Sequence, residues 1–150
     1  MTPKIHRVTP FLWYDGQAEE AARFYVSVFG KGSRVTSVSP MSVTFELEGQ
    51  PFFALNGGPL FKFSEAVSFF VDCKDQREVD SYWRKLSAGG QTGRCGWLKD
   101  RWDLSWQVVP RALGECLGGK DRAGAQRAME AMMKMGKLEV ATLKAAYKGR

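Results

Sequence analysis

Few side chains in this sequence have the chemistry of a catalyst, and they are dispersed. His6 is the only histidine. From Gly49 to Ser64 there is no Asp, Glu, His or Cys. A stable metal site needs three or more N, O or S ligands converging on one ion. No metal cofactor is therefore expected. Cys95, in the run Cys95-Gly96-Trp97, would act as a nucleophile only if a base or a positive neighbour lowered its pKa. Arg94 and Lys99 are close in sequence, but no second histidine exists to act as base. A buried, inert thiol is the expectation. Asp100 and Asp103 are the carboxylates that acid–base work would use. Trp97, Lys99, Arg101 and Trp102 mix aromatic rings with cations, as single-strand nucleic-acid grooves do. On strands, alternate residues face opposite sides, which splits that cluster. No nucleic-acid partner is expected.

The elements that must position these groups occur twice. Val8 to Tyr14 reads as an apolar strand ending at Asp15-Gly16. Ala18, Ala21, Ala22, Tyr25 and Phe29 recur at helical spacing, so a helix is predicted over 17–29. Arg34 to Val38 is a short strand. Val43, Phe45 and Leu47 alternate with Thr44, Glu46 and Glu48, the period of a half-buried strand. Phe52 to Asn56 is the next, closed by Gly57-Gly58-Pro59. The order then repeats. Ala66 to Asp72 is a strand, and Asp75 with Glu78 resembles a capping box. Val79, Tyr82, Trp83 and Leu86 form a helical stripe. Thr92 to Trp97 and Leu98 to Trp102 are weaker strands, and Leu104 to Val109 is a strong one closed by Pro110. Such self-similarity sets the fold class. It is α+β, with duplicated βαβββ modules at about 5–58 and 64–110 forming a cupped mixed sheet, and a C-terminal helical extension over 111–150. The extension has two helices, one marked by Ala125, Ala128, Met129, Met132 and Met133, the other by Val140, Leu143 and Tyr147.

A chain of 150 residues fits one domain with a substantial core. The net charge of +6 is scattered and is densest in the last third, which reads as a solvated surface. No apolar run approaches bilayer length, so no membrane partner is expected. Thr2, Pro3, Lys4 and His6 precede a strand-like run rather than a signal-peptide pattern. The three cysteines, Cys73, Cys95 and Cys116, are odd in number and far apart, as expected for reduced thiols in a cytoplasmic protein.

Four stretches carry a family resemblance. They are 9–16 (TPFLWYDG), 49–58 (GQPFFALNGG), 95–101 (CGWLKDR) and 104–110 (LSWQVVP). With the repeated strand–helix–three-strand unit, they resemble the vicinal oxygen chelate superfamily of glyoxalase I, extradiol dioxygenases and bleomycin-resistance proteins. More narrowly they resemble its PhnB-like branch, often labelled 3-demethylubiquinone-9 3-methyltransferase. The resemblance extends into the terminal helices. Family members often have a longer stretch where this chain has Arg34 to Ser42.

The resemblance implies four metal-ligand positions, near Pro10, near Phe53 or Ala54, near Ala66 to Ser68, and at Gln107. Only Gln107 among them could coordinate. The methyltransferase label implies S-adenosylmethionine. A Rossmann site for that cofactor needs a glycine-rich turn between strand and helix and an acid on the next strand. Asp15-Gly16-Gln17-Ala18-Glu19 is not such a turn, so no cofactor is expected. What remains is a small-molecule pocket. With Gln107 on the cupped side, Ser105 and Val109 share its face, and Leu104, Trp106 and Val108 pack under helices. The same parity places Leu12, Tyr14, Phe52, Ala54, Asn56, Ser68 and Phe70 along the cleft. The expected function is metal-independent binding of a small ligand by a homodimer. Its methionine-rich tail (Met129, Met132, Met133, Met135) is either a contact surface or internal packing. The alternative is a lyase, isomerase or dioxygenase of the superfamily, using Gln107 in a non-standard metal set or Asp100 or Asp103 as acid–base.

Overall fold

Residues 5–150 are described by a computed structural model. Thr2, Pro3 and Lys4, which carry part of the expectation about the N-terminus, lie outside them. The chain divides into two compact units, Met1–Phe63 and Ser64–Arg150.

The first unit holds β1 (Phe11–Tyr14), α1 (Ala18–Phe29), β2 (Arg34–Val38), β3 (Ser42–Leu47) and β4 (Gln50–Asn56). Its sheet has the order β1-β4-β3-β2, with β1 parallel to β4 and the other pairs antiparallel. The second unit repeats this with β5 (Phe69–Cys73), α2 (Gln76–Ser87), β6 (Gln91–Thr92), β7 (Trp97–Lys99) and β8 (Ser105–Pro110), in the order β5-β8-β7-β6. The duplicated βαβββ order is present. The strands form two four-stranded sheets, one within each unit, rather than a single hydrogen-bonded mixed sheet. Backbone pairing closes inside each module because β1 and β5 each return to the last strand of their own repeat.

The helices follow their apolar spacing. Ala18, Ala21, Ala22, Tyr25 and Val28 are buried along α1, and Tyr25 lies against Phe45 at 6.1 Å between ring centroids. Asp75 caps α2 by accepting from the Glu78 amide at 3.0 Å, and Glu78 Oε1 accepts from the Lys74 amide at 2.8 Å. Val79 and Leu86 bury the inner face of α2.

Three helices follow β8, namely α3 (Arg111–Leu117), α4 (Arg122–Met133) and α5 (Val140–Lys148). Pro110 ends β8 and stands immediately before α3, a helix the sequence reading omits. A fixed φ with no N–H to satisfy suits a helix entrance as well as a strand exit. Val109, Leu113, Cys116, Ala128, Leu138 and Leu143 form one buried cluster, with Met132 and Met135 against it. Of the two readings of the tail, internal packing accounts for these two methionines. Met129 and Met133 are exposed. The tail is also tied back to its own unit by hydrogen bonds. Gln76 donates to the Leu138 carbonyl at 3.0 Å and accepts from the Val140 amide at 2.7 Å. The Cys95 and Gly96 amides donate to the Met135 and Gly136 carbonyls at 2.8 and 2.9 Å. No helix among the described residues is long and apolar enough to cross a membrane.

Candidate functional site

In the first unit the side-chain parity is opposite to the expected one. Leu12, Tyr14, Phe52 and Ala54 are buried on the face covered by α1. The Tyr14 hydroxyl meets that of Tyr25 at 3.0 Å. Asn56 Oδ1 accepts the Ala18 amide at 2.8 Å, closing the α1 N-terminus, and its Nδ2 donates to the Pro40 carbonyl. These five residues build the core and the helix cap, not an open wall. The reason is that Phe11-Leu12-Trp13-Tyr14 is bulky at every position, so alternation gives no direction. The face away from α1 carries Phe11, Trp13, Phe53 and Leu55, which are register partners. Phe11 and Phe53 are 5.6 Å apart, and Trp13 meets Phe61 edge-on at 4.8 Å. Thr44 and Glu46 lie on that face too and are buried. Thr44 shares hydrogen bonds with Thr36 and Ser37, and Glu46 with Arg34. β3 is therefore buried on both faces rather than half-buried.

In the second unit β8 is buried on both faces except at Gln107, and Val109, expected on the cleft with Ser105 and Gln107, packs in the cluster of the terminal helices. Leu104, Trp106 and Val108 are buried, with Trp106 against Phe69 at 5.5 Å. The face away from α2 carries the register partners Phe70, Gln107 and Trp97, then Ser105, Lys99 and Gln91. Gln107 Nε2 donates to Ser68 Oγ at 3.0 Å. Phe70 is 61% exposed, so this face is wet at one end. Ser105 is buried, and its Oγ has no hydrogen-bond partner. Lys99 is paired with Glu65. The Lys99 hydrogen bond holds the Glu65 carboxyl below its usual range, and Glu65 in turn raises the Lys99 ammonium. Glu65, Trp97 and Lys99 were not anticipated as a group. Their juxtaposition depends on the loop before β5 reaching β7, which leaves no periodic signal.

The remaining candidates are structural. Asp100 is buried. Its Oδ1 accepts from the Trp102 and Leu104 amides, and its Oδ2 from the Trp106 indole at 2.9 Å. That carboxylate holds the β7–β8 connection, a task that leaves it poorly placed for proton transfer. Asp103 is exposed in the same turn at φ +67°. Cys95 is half-buried at φ +58°. Burial pushes the Cys73 thiol up to about 12 and also raises Cys116. The Arg101 guanidinium lies 5.4 Å from the Trp102 ring in the turn that follows the Trp97–Lys99 strand, so the four residues are split between strand and turn rather than between two strand faces.

Among the described residues, no three His, Cys, Asp or Glu side chains are grouped to hold a metal ion. Of the implied ligand positions, Ala54 is under α1 and has no ligating atom, which leaves the Gln107 Oε1 as a single donor where three or more are needed. These residues do not fit a divalent cation. Nor does the chain fit S-adenosylmethionine. The α1 N-terminus is occupied by Asn56, and α2 is entered through Asp75 with no glycine. The strand parallel to β1 ends in Asn56 rather than an acid.

The family described as 3-demethylubiquinone-9 3-methyltransferase matches residues 6–109. The match stops at the end of β8, so the resemblance does not reach the terminal helices as expected. No protein of curated function matches. Among solved structures, a PhnB protein from Bacillus cereus with the same family description is 31% identical. It covers 70% of this chain and 99% of its own, with TM-score 0.65. A Pseudomonas aeruginosa protein is similar in fold at 17% identity, covering 67% of this chain and 94% of its own, with TM-score 0.56. So is the fosfomycin resistance protein FosX of Mesorhizobium loti at 16%, covering 69% and 90%, with TM-score 0.51. Duplicated βαβββ units and a match over two thirds of the chain together place the protein in the family described as 3-demethylubiquinone-9 3-methyltransferase, with the PhnB protein of Bacillus cereus.

Proposed function

We propose that the protein binds a small, partly aromatic or anionic molecule without a metal ion, on the α2-distal face of the second sheet. The observation that carries this is the Gln107–Ser68 pair, a polar handle between the aromatic side chains Phe70 and Trp97. A few hydrogen-bonding groups on an otherwise apolar wall is the usual make-up of a small-molecule site. Ser68, Phe70, Ser105 and Gln107 are the ligand residues. Leu12, Tyr14, Phe52, Ala54 and Asn56 are not, since α1 covers their face.

The family description does not carry the activity, because neither helix entrance offers a cradle for S-adenosylmethionine. The test is a thermal-shift panel of small aromatic acids, amides and nucleosides, with S-adenosylmethionine included. A panel compound should raise Tm equally with and without chelator, and S-adenosylmethionine should not. Saturable binding of S-adenosylmethionine, or metal-dependent turnover of a panel compound, would overturn the reading in favour of an enzyme.

We also propose a homodimer resident in the cytoplasm. Three unpaired cysteines, two of them buried, suit a reducing compartment. Met129 and Met133 are exposed one turn apart on α4, an adaptable apolar contact. Truncation from Asp121 would remove part of the second unit's own cluster, so point substitution is the cleaner test. Light scattering should give a dimer mass for the wild type and a monomer mass for Met129→Lys/Met133→Lys at unchanged Tm. A monomeric wild type would contradict the proposal.

A further inference from the structure

At the β6 edge of the second sheet lies a pocket of about 170 Å³, lined among others by Glu65, Gln91, Trp97, Lys99 and Ser105. Three features of it are unexplained by folding alone. Ser105 is 1% exposed, and its Oγ is the one buried side-chain polar atom without a partner among the described residues. An orphaned buried hydroxyl destabilises a fold unless something else uses it. Lys99 is the only cation on the lining, and the group it holds is a carboxylate, that of Glu65. The Glu65 side chain is 61% exposed and the Lys99 side chain 35%. An ion pair so open to water contributes little to stability, so exchanging its carboxylate costs little.

We propose that this pocket binds a single-ring aromatic carboxylate. Its ring lies along Trp97, its carboxylate takes the place of the Glu65 carboxylate on Lys99, and one of its oxygens accepts from Ser105 Oγ. Glu65 is then an internal competitor, a stand-in for the ligand's acid group. The volume limits the ligand to one ring, since a cavity of about 150 Å³ holds one benzene. A charge-assisted bond to Lys99 selects the anion over a neutral isostere. The inference rests on the small-molecule reading above, shares Ser105 with it, and places a ligand of stated chemical class at the β6 end of the same sheet face.

The probes are benzoate and its neutral isostere benzamide, titrated calorimetrically into the full-length protein in chelator. Benzoate should bind at least about tenfold more tightly than benzamide, the margin a charge-assisted hydrogen bond supplies. Lys99→Met should abolish that margin and leave benzamide affinity unchanged. Glu65→Gln should tighten benzoate several-fold, because the competitor has lost its charge. Ser105→Ala should weaken benzoate while holding or raising the ligand-free Tm, since it removes the orphaned hydroxyl. Equal affinity for the two probes, or weaker benzoate binding in Glu65→Gln, would overturn the assignment. If benzamide and other neutral rings bind and benzoate does not, the anionic class fails while small-molecule binding stands. If no panel compound binds, both fail.

Discussion

The Asp100 carboxylate and the Trp106 indole are joined in the interior of the second unit, Oδ2 accepting from Nε1 at 2.9 Å. The other oxygen receives two backbone amides of the turn that follows. One aspartate thus fixes both the β7–β8 connection and a central tryptophan of β8. Asp100→Asn keeps the shape but can offer an NH₂ group where the indole needs an acceptor. A buried donor left facing a donor costs about 1–3 kcal/mol. Urea unfolding should show a loss in that range, while ligand affinity of the folded fraction is unchanged. A catalytic Asp100 would give the reverse pattern, intact stability and lost turnover.

In the first unit, Trp13 lies over the backbone of Gly57 and donates through Nε1 to the Gly58 carbonyl at 2.9 Å. A Cβ on Gly57 would fall 2.3 Å from the indole ring. Gly57→Ala must therefore push Trp13 off its seat and away from Phe61. Overpacking of this kind costs about 1–3 kcal/mol. The expected result is a lower unfolding midpoint with a red-shifted tryptophan emission. An unchanged midpoint would mean the indole moves freely.

Cys73 is fully buried and its thiol is pushed up to about 12, chiefly by desolvation. In the unfolded chain the thiol ionises in its ordinary range near 9. Between these values the unfolded state binds fewer protons than the folded one, so stability falls as pH rises. The contribution is complete below pH 9 and is lost toward about 12. Denaturant titrations should show this alkaline decline, smaller in Cys73→Ala. At pH 8, a thiol reagent should modify Cys95 well before Cys73 and Cys116, and all three after unfolding. Rapid modification of Cys73 in the native protein would contradict its placement.

Local signals carried the architecture. The Ala18–Tyr25 spacing, the Asp75–Glu78 cap and the alternation around Phe45 each concern one element, and together they give the repeated order. Facing direction was legible only where one side of a strand is plainly apolar and the other not. Leu104, Trp106 and Val108 against Ser105 and Gln107 met that condition. Phe11 to Tyr14 did not, and its parity came out inverted. Asn56 looked like a ligand group because it is polar beside apolar residues, yet its partner is the Ala18 amide, 38 positions away in sequence. The Glu65–Lys99 contact and the unpartnered Ser105 hydroxyl arise from loop placement, which no periodicity encodes.

Ligand binding on the face that carries Gln107 should need no metal ion. The most direct measurement is calorimetric titration of a stabilising panel ligand into wild type and Gln107→Ala, each after exhaustive chelation. Wild-type affinity should be undiminished after chelation. Gln107→Ala should lose about 1–2 kcal/mol of binding, one buried hydrogen bond, at unchanged Tm. Binding that disappears on chelation and returns with manganese or zinc would contradict metal-independent binding on this face, as would a Gln107→Ala variant that binds like wild type.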